Sequence, residues 1–156
     1  MTVESAGPQS EDSIVSEVLR NALRTPSNNT TEAGPSVELG TFRYGRKRLN
    51  TWAYSIGRFY THVDNMNDEE NLDHQTSIVY KAARQYMQET VNRVGKVYTY
   101  TLRTKNERMK DWANGPGAEI FHWSSTRAEP TDDKRRFYIF EAKIVPDGMK
   151  GDAKDI

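Results

Sequence analysis

Cysteine is absent from all 156 residues, so the chain has no disulfide framework, no thiolate nucleophile and no cysteine-held zinc. That composition suits a reducing compartment. An excess of one charge is missing too, since Lys+Arg and Asp+Glu stand at 22 each and the formal net charge is zero. No global field therefore draws the protein to nucleic acid or to an anionic membrane, and any such binding must be local. No apolar run approaches the ~20 residues of a membrane helix. The N-terminus, Met1-Thr-Val-Glu-Ser-Ala-Gly-Pro8, lacks the basic and apolar regions of a secretory signal. The expectation is an intracellular protein, cytoplasmic or nuclear, with no membrane contact. The sequons at Asn28 and Asn29 then carry little weight. Histidine is scarce: His62, His74 and His122 are far apart with no paired spacing, so no metal site is expected. No Gly-x-Ser-x-Gly elbow marks a hydrolase.

What is present is distributed unevenly. Residues 1–38 are rich in Ser, Thr, Asn, Glu, Gly and Pro and read as a mostly disordered tail. One short amphipathic helix interrupts it at 13–24, where Ile14, Val15, Val18, Leu19, Ala22 and Leu23 recur at helical spacing. That stripe needs a partner, either the domain itself or another protein. A single α/β domain is expected over 39–147 and a flexible tail over 148–156, because the length is too small for two ordinary domains.

Within the domain, Thr51–Asp64 mixes Trp52, Tyr54, Ile56, Phe59, Tyr60 and Val63, which favours strand with a bend or bulge at Gly57. A helix over part of Arg48–Tyr60 is the competing reading. A long helix then gathers Ile78, Val79, Ala82, Ala83, Tyr86, Met87, Thr90, Val91 and Val94 on one face, and Gly95 ends it. An alternating strand through Tyr98, Tyr100 and Leu102 follows. Thr104-Lys-Asn-Glu107 has capping-box spacing before a short helix that turns Met109, Trp112 and Ala113 inward. Asn114-Gly-Pro-Gly117 stops that helix. Ala118–Trp123 and Arg136–Val145 read as the last two strands, separated by a polar loop. The order β-α-β-α-β-β predicts a mixed sheet flanked by helices, with parallel pairing across the helical crossover and antiparallel pairing at the end.

The series of long helix, strand, Asn106-Glu-Arg-Met109, short helix, Gly117 and terminal strand pair is similar to the C-terminal half of the GNAT acyl-CoA N-acyltransferases, over residues 59–145. The resemblance implies a GNAT-like half-domain with acetyl-CoA as cofactor. Acetyl-CoA would enter a V-shaped opening where the strand after the long helix splays from the strand before it. Tyr100, Leu102 and Asn106 would be the cofactor-binding positions. Two departures stand against this. The family's glycine-containing phosphate loop is replaced by Asp68-Glu-Glu-Asn-Leu-Asp-His74, which has no glycine and several carboxylates that repel a pyrophosphate. The tyrosine that often serves as general acid, seven residues after the family's Asn, falls on Ala113. The expectation is therefore a degenerate, non-catalytic domain acting in protein interaction or self-association without a cofactor, with an acyl-CoA-dependent N-acetyltransferase as the alternative. No catalytic residue can be assigned.

Two further segments invite a function. Arg43, Arg46, Lys47 and Arg48 lie close to Trp52, and cations among aromatics can hold single-stranded nucleic acid through phosphates and stacked bases. The bland reading is stronger, since such aromatics are mostly core and the acidic run 64–73 can neutralise the cations, so nucleic acid is a minor expectation. As a calcium loop the acidic run fails. Starting from Asn65, the sixth position is Glu70 rather than Gly and the twelfth is Thr76 rather than Glu.

Overall fold

Ser10 caps the first described helix, its hydroxyl accepting the Ser13 N–H at 3.1 Å, with Glu11 and Asp12 in the positive first turn. The structure is a computed structural model that describes residues 10–22, 28–31, 34–54, 57–64, 74–132 and 136–149. The capped helix, α1 (Glu11–Arg20), buries Val15 and Val18. After it come β1 (Asn28–Thr31), β2 (Gly34–Tyr44), β3 (Lys47–Tyr54), β4 (Arg58–Asp64) and α2 (His74–Val94). The chain continues through β5 (Tyr98–Thr104), α3 (Glu107–Asn114), α4 (Pro116–Phe121), β6 (Ser125–Pro130) and β7 (Arg136–Ile144).

The strands form one mixed sheet of seven, in the order β1-β2-β3-β4-β5-β7-β6, and every neighbouring pair is antiparallel except β4 with β5. A mixed sheet with helices against it is the predicted class. The β2–β3 hairpin turns on Gly45 and Arg46, and Gly45 has φ +60. A two-residue hairpin of this kind needs its first turn residue in the left-handed region, which a side chain would strain.

Several sequence expectations change. Strand β1 and the first half of β2 run through 28–38, where composition pointed to a mostly disordered tail. A polar strand can be held by its backbone ladder alone, as Asn28↔Val37 to Thr31↔Gly34 show, so apolar periodicity is no guide there. Thr51–Asp64 is strand rather than helix, divided between β3 and β4 with Gly57 at φ +85 in the turn. Ala118–Trp123 is not a strand. Pro116 begins α4 instead of merely stopping α3, because the first helical position needs no N–H and suits the fixed φ of proline. His122 closes α4 with φ 53 and is exposed, so it is not a sheet residue. The strand that pairs antiparallel with β7 is β6, six residues of polar, exposed chain. The capping box is also replaced. Asn106 is the N-cap of α3, while the Thr104 hydroxyl accepts the Asn106 N–H at 2.9 Å.

All four helices pack on one face of the sheet. From the strands, Phe42, Leu49, Phe59, Tyr100, Ala142 and Ile144 are buried there, and α2 meets them with Ile78, Val79, Ala82, Ala83, Met87 and Val91. Val94, expected on that stripe, is 48% exposed, because the last turn of α2 runs past the core. Trp112 of α3 anchors the helical layer: its ring lies 4.7 Å from Tyr80 and its Nε1–H donates to the Ser77 hydroxyl at 3.0 Å. Satisfying the indole N–H is what lets so large a side chain be buried whole. The α3–α4 corner depends on Gly117, where an added Cβ would stand 2.9 Å from Trp112 Cζ3. Gly117→Ala should therefore destabilise the fold by about 1–3 kcal/mol through overpacking. Urea unfolding checks this, and a midpoint equal to the parent's would show that the corner is not close-packed.

Candidate functional site

Helix α2 carries the chain from the C-terminal end of β4 back to the start of β5, so the two strands run in the same direction. Their C-terminal ends and the start of α2 then lie together. The ladder between them is short. Arg58 pairs with Thr99 and Phe59 with Tyr100, the Thr99 N–H donating to the Gly57 carbonyl at 3.0 Å, and no register continues beyond. Yet β4 runs on to Asp64 and β5 to Thr104. The sheet therefore opens past Phe59 and Tyr100, on the side of the strands' carboxyl ends where open α/β sheets take their ligands.

Hydroxyls gather at the apex of this opening. Thr61 of β4 and Tyr100 of β5 point to the helical face, and their oxygens are 2.7 Å apart, one donating to the other across the junction. Tyr80 of α2 is buried beside them and shares hydrogen-bonding contact with both. Burial pushes the Tyr80 phenol up to about 12, with the Thr61 and Tyr100 hydroxyls partly opposing the rise. Burial also raises Tyr100 well above the ordinary phenol value, and the neighbouring Tyr80 adds to it. Both rings are thus neutral hydrogen-bonding groups at physiological pH. Nearby hydrogen-bonding capacity is unused: the buried Oγ1 atoms of Thr51 and Thr76 have no hydrogen-bond partner among the described residues. Thr51 stands opposite Thr61 in the β3–β4 register, and Thr76 is in the first turn of α2; the buried Thr101, next to Tyr100 on β5, faces the other side of the sheet. An unmet buried hydroxyl costs roughly 1–3 kcal/mol, so such a cluster is kept against a gradient.

The three positions implied by the acyltransferase resemblance are separated in role. Tyr100 lines the opening. Leu102 is a core side chain on the same face of β5. Asn106 is already engaged, its amide oxygen accepting the Arg108 and Met109 N–H groups at 2.8 and 3.1 Å. Ala113 is fully buried and its carbonyl accepts the Trp123 indole N–H at 2.8 Å, so nothing at that position supplies a proton. A half-buried tyrosine, Tyr138, instead donates its phenol O–H to Glu107 at 2.6 Å, and that bond with the Lys110 contact holds the Glu107 carboxyl below its usual range. Thr61 and Tyr80 were not anticipated, because their meeting with Tyr100 depends on strand register and on the angle of α2.

The basic segment divides as well. Arg43 and Arg48 are exposed and directly opposed in register, with Trp52 half-buried on the same face of the sheet. Lys47 is 1% exposed on the helical face, so it cannot join them. Arg46 sits in the hairpin turn, where its N–H donates to Gln75 Oε1 at 3.1 Å and ties the turn to α2. The acidic segment 65–73, and with it the phosphate-loop expectation, lies outside the described residues. Among the described residues no group of His, Asp and Glu could hold a metal ion, and no helix is long and apolar enough to cross a membrane.

What the fold and the opening define is a mixed α/β domain with one parallel junction. No protein-family model matches the chain, and no curated protein matches it. Among solved structures it is similar to the ribosomal-protein-S18-alanine N-acetyltransferase from Escherichia coli, with 14% identity, a TM-score of 0.41, and coverage of 93% of this chain and 96% of that one. At that level no shared activity follows.

The phenols make a pH prediction. A tyrosine whose folded pKa lies above its unfolded value of about 10 favours the native state fully below that pH, and the contribution is lost as pH rises toward the folded value. Stability should therefore fall between about pH 10 and 12 as unfolding releases the Tyr80 proton. Tyr80→Phe should flatten this decline in urea midpoints. Complete tyrosine ionisation in ultraviolet absorbance at about pH 11, with the protein still folded, would contradict the burial argument.

Proposed function

We propose that the protein binds the acyl-pantetheine portion of an acyl thioester such as acetyl-CoA in the β4–β5 opening. The observation that carries this is the end of the parallel ladder after Phe59↔Tyr100, beyond which the C-terminal ends of the two strands no longer pair with each other beside the start of α2. A V-shaped opening at this place is what the acyltransferase resemblance implies. The groups at its apex suit a thioester carbonyl, because neutral phenols and a threonine hydroxyl donate hydrogen bonds without adding charge.

The thioester would supply the activated acyl group, and the chain would supply position and hydrogen bonds. Proton donation is a different matter. A phenol near 12 gives up its proton uphill to a thiolate, whose conjugate thiol has a pKa of about 8.5. Tyr80 is therefore a poor replacement for the missing general acid, and the site is better suited to holding an acyl thioester than to fast transfer. The second reading, a degenerate domain that only engages a protein, draws on the engagement of Asn106 in its cap and the burial of Ala113.

Thermal unfolding with acetyl-CoA separates the two. A ligand at 100 times its Kd stabilises the native state by about 2.7 kcal/mol, so millimolar acetyl-CoA should raise the melting temperature by several degrees. Tyr100→Phe should diminish the shift while leaving the fold intact. Absence of any shift at about 1 mM acetyl-CoA would remove the thioester reading and leave the protein-interaction one.

A further inference from the structure

The sheet has a second face, and among the described residues no helix packs on it. Alternation along β2, β3 and β4 brings a definite set of side chains to that face. Arg48 stands opposite Arg43, Asn50 between Thr41 and His62, Trp52 opposite Tyr60, and Tyr54 opposite Arg58. Trp52, Tyr54, Tyr60 and Arg58 are half-buried, and Arg43, Arg48 and His62 are exposed. The Tyr54 and Tyr60 rings meet edge to face at 4.8 Å, which fixes Tyr60 next to Trp52 across the strands. Across the β4–β5 opening, the Arg103 guanidinium lies 4.6 Å above the Phe137 ring on the same side of the sheet.

Such a surface differs from a leftover hydrophobic patch in two ways. Its aromatics lie on regular strands and so are held flat and close together, with positions two apart on one strand about 6.8 Å from each other. Its cations border them. Arg43, Arg48 and Arg58 are the arginines that the register of these strands brings to this part of the face. Neither Arg43 nor Arg58 has an ion-pair partner among the described residues.

We infer that this face binds single-stranded nucleic acid, with bases stacked on Trp52 and Tyr60 and phosphates held by Arg43 and Arg58. Charge complementarity selects a polyanion, and the aromatic centre selects one that presents flat π-faces, which an acidic peptide does not. The site depends on neither Lys47 nor Arg46, and it lies on the opposite side of the sheet from the thioester groups. It therefore stands or falls separately from the acyl-thioester reading.

The test is fluorescence anisotropy of labelled oligo(U) and oligo(dT) with the full chain at several salt concentrations. Binding is expected with a Kd of about 10⁻⁴–10⁻⁶ M at moderate salt, weakening as salt rises. Trp52→Ala should weaken binding of every sequence by roughly tenfold, as loss of one stacked base does. Arg43→Gln with Arg58→Gln should lower the log–log salt slope by about 1.4, as the loss of two single-strand phosphate contacts does. Arg93→Gln, an exposed charge at the end of α2, should change nothing. Circular dichroism of each variant establishes that it is folded, and Trp52→Phe replaces Trp52→Ala should the latter unfold. Preference for oligo(U) over oligo(dT), or the reverse, identifies the nucleic acid without altering the inference. Three results would overturn it: no anisotropy change at about 100 μM protein in low salt, binding untouched by the Trp52 and arginine variants, or equally effective displacement by polyglutamate.

Discussion

One parallel contact governs the rest of this molecule. Every other strand joins its neighbour antiparallel, and β2–β3 and β3–β4 do so through short turns. Between β4 and β5 the chain must return along the sheet before it can pair again, and α2 makes that return. Its apolar face is then pressed onto Phe42, Leu49 and Phe59, which builds the core. The same geometry sets the start of α2 beside the carboxyl ends of two strands that have stopped pairing with each other. Core and opening thus have a common origin, since the helix that completes one creates the position of the other.

Burial of hydroxyls beside that junction sets stability against use. Thr61 and Tyr100 satisfy one another across the strands, and Tyr80 joins them from the helix. Among the described residues, Oγ1 of Thr51 and of Thr76 has no such satisfaction. Valine at either of these positions would have nearly the same shape without an unmet hydroxyl. A domain selected for stability alone has no reason to keep both. A groove that must recognise a polar ligand does, because buried donors gain most from a partner that fits them. The raised phenols point the same way, toward hydrogen bonding and away from proton transfer.

The elements with one-sided apolar burial could be read from the sequence. The stripe from Ile78 to Val91 predicts α2, Tyr98–Leu102 predicts β5, and Met109 with Trp112 predicts α3. Strands lying at an edge could not. β1 and β6 are mostly polar and lack an alternating apolar face, a composition that also discourages further strands from adding to the edge. Pro116 misled for a different reason, because the same ring that ends one helix can start the next. At the opening, Tyr100 was legible from strand alternation and motif spacing. Thr61 and Tyr80 were not, since Thr61 meets Tyr100 across a sequence separation of 39 residues set by strand register, and Tyr80 meets it through a helix packing angle.

The alternation that hides Lys47 also separates two kinds of chemistry. Adjacent residues of β3 face opposite ways, so a linear run that looks like one basic patch is divided by the pleat: Lys47 enters the helical side and Arg48 the open side. The same rule sends Thr61 to the phenols while Tyr60 and His62 go to the far face. A single strand, β4, therefore contributes to both surfaces, with its even-numbered residues on one and its odd-numbered residues on the other. Mutations one residue apart need not report on the same function. A substitution confined to the even positions can alter the open face without reaching the hydroxyl cluster, provided that the β3–β4 ladder is kept. This independence follows from backbone geometry alone, and it holds whatever ligand occupies either side.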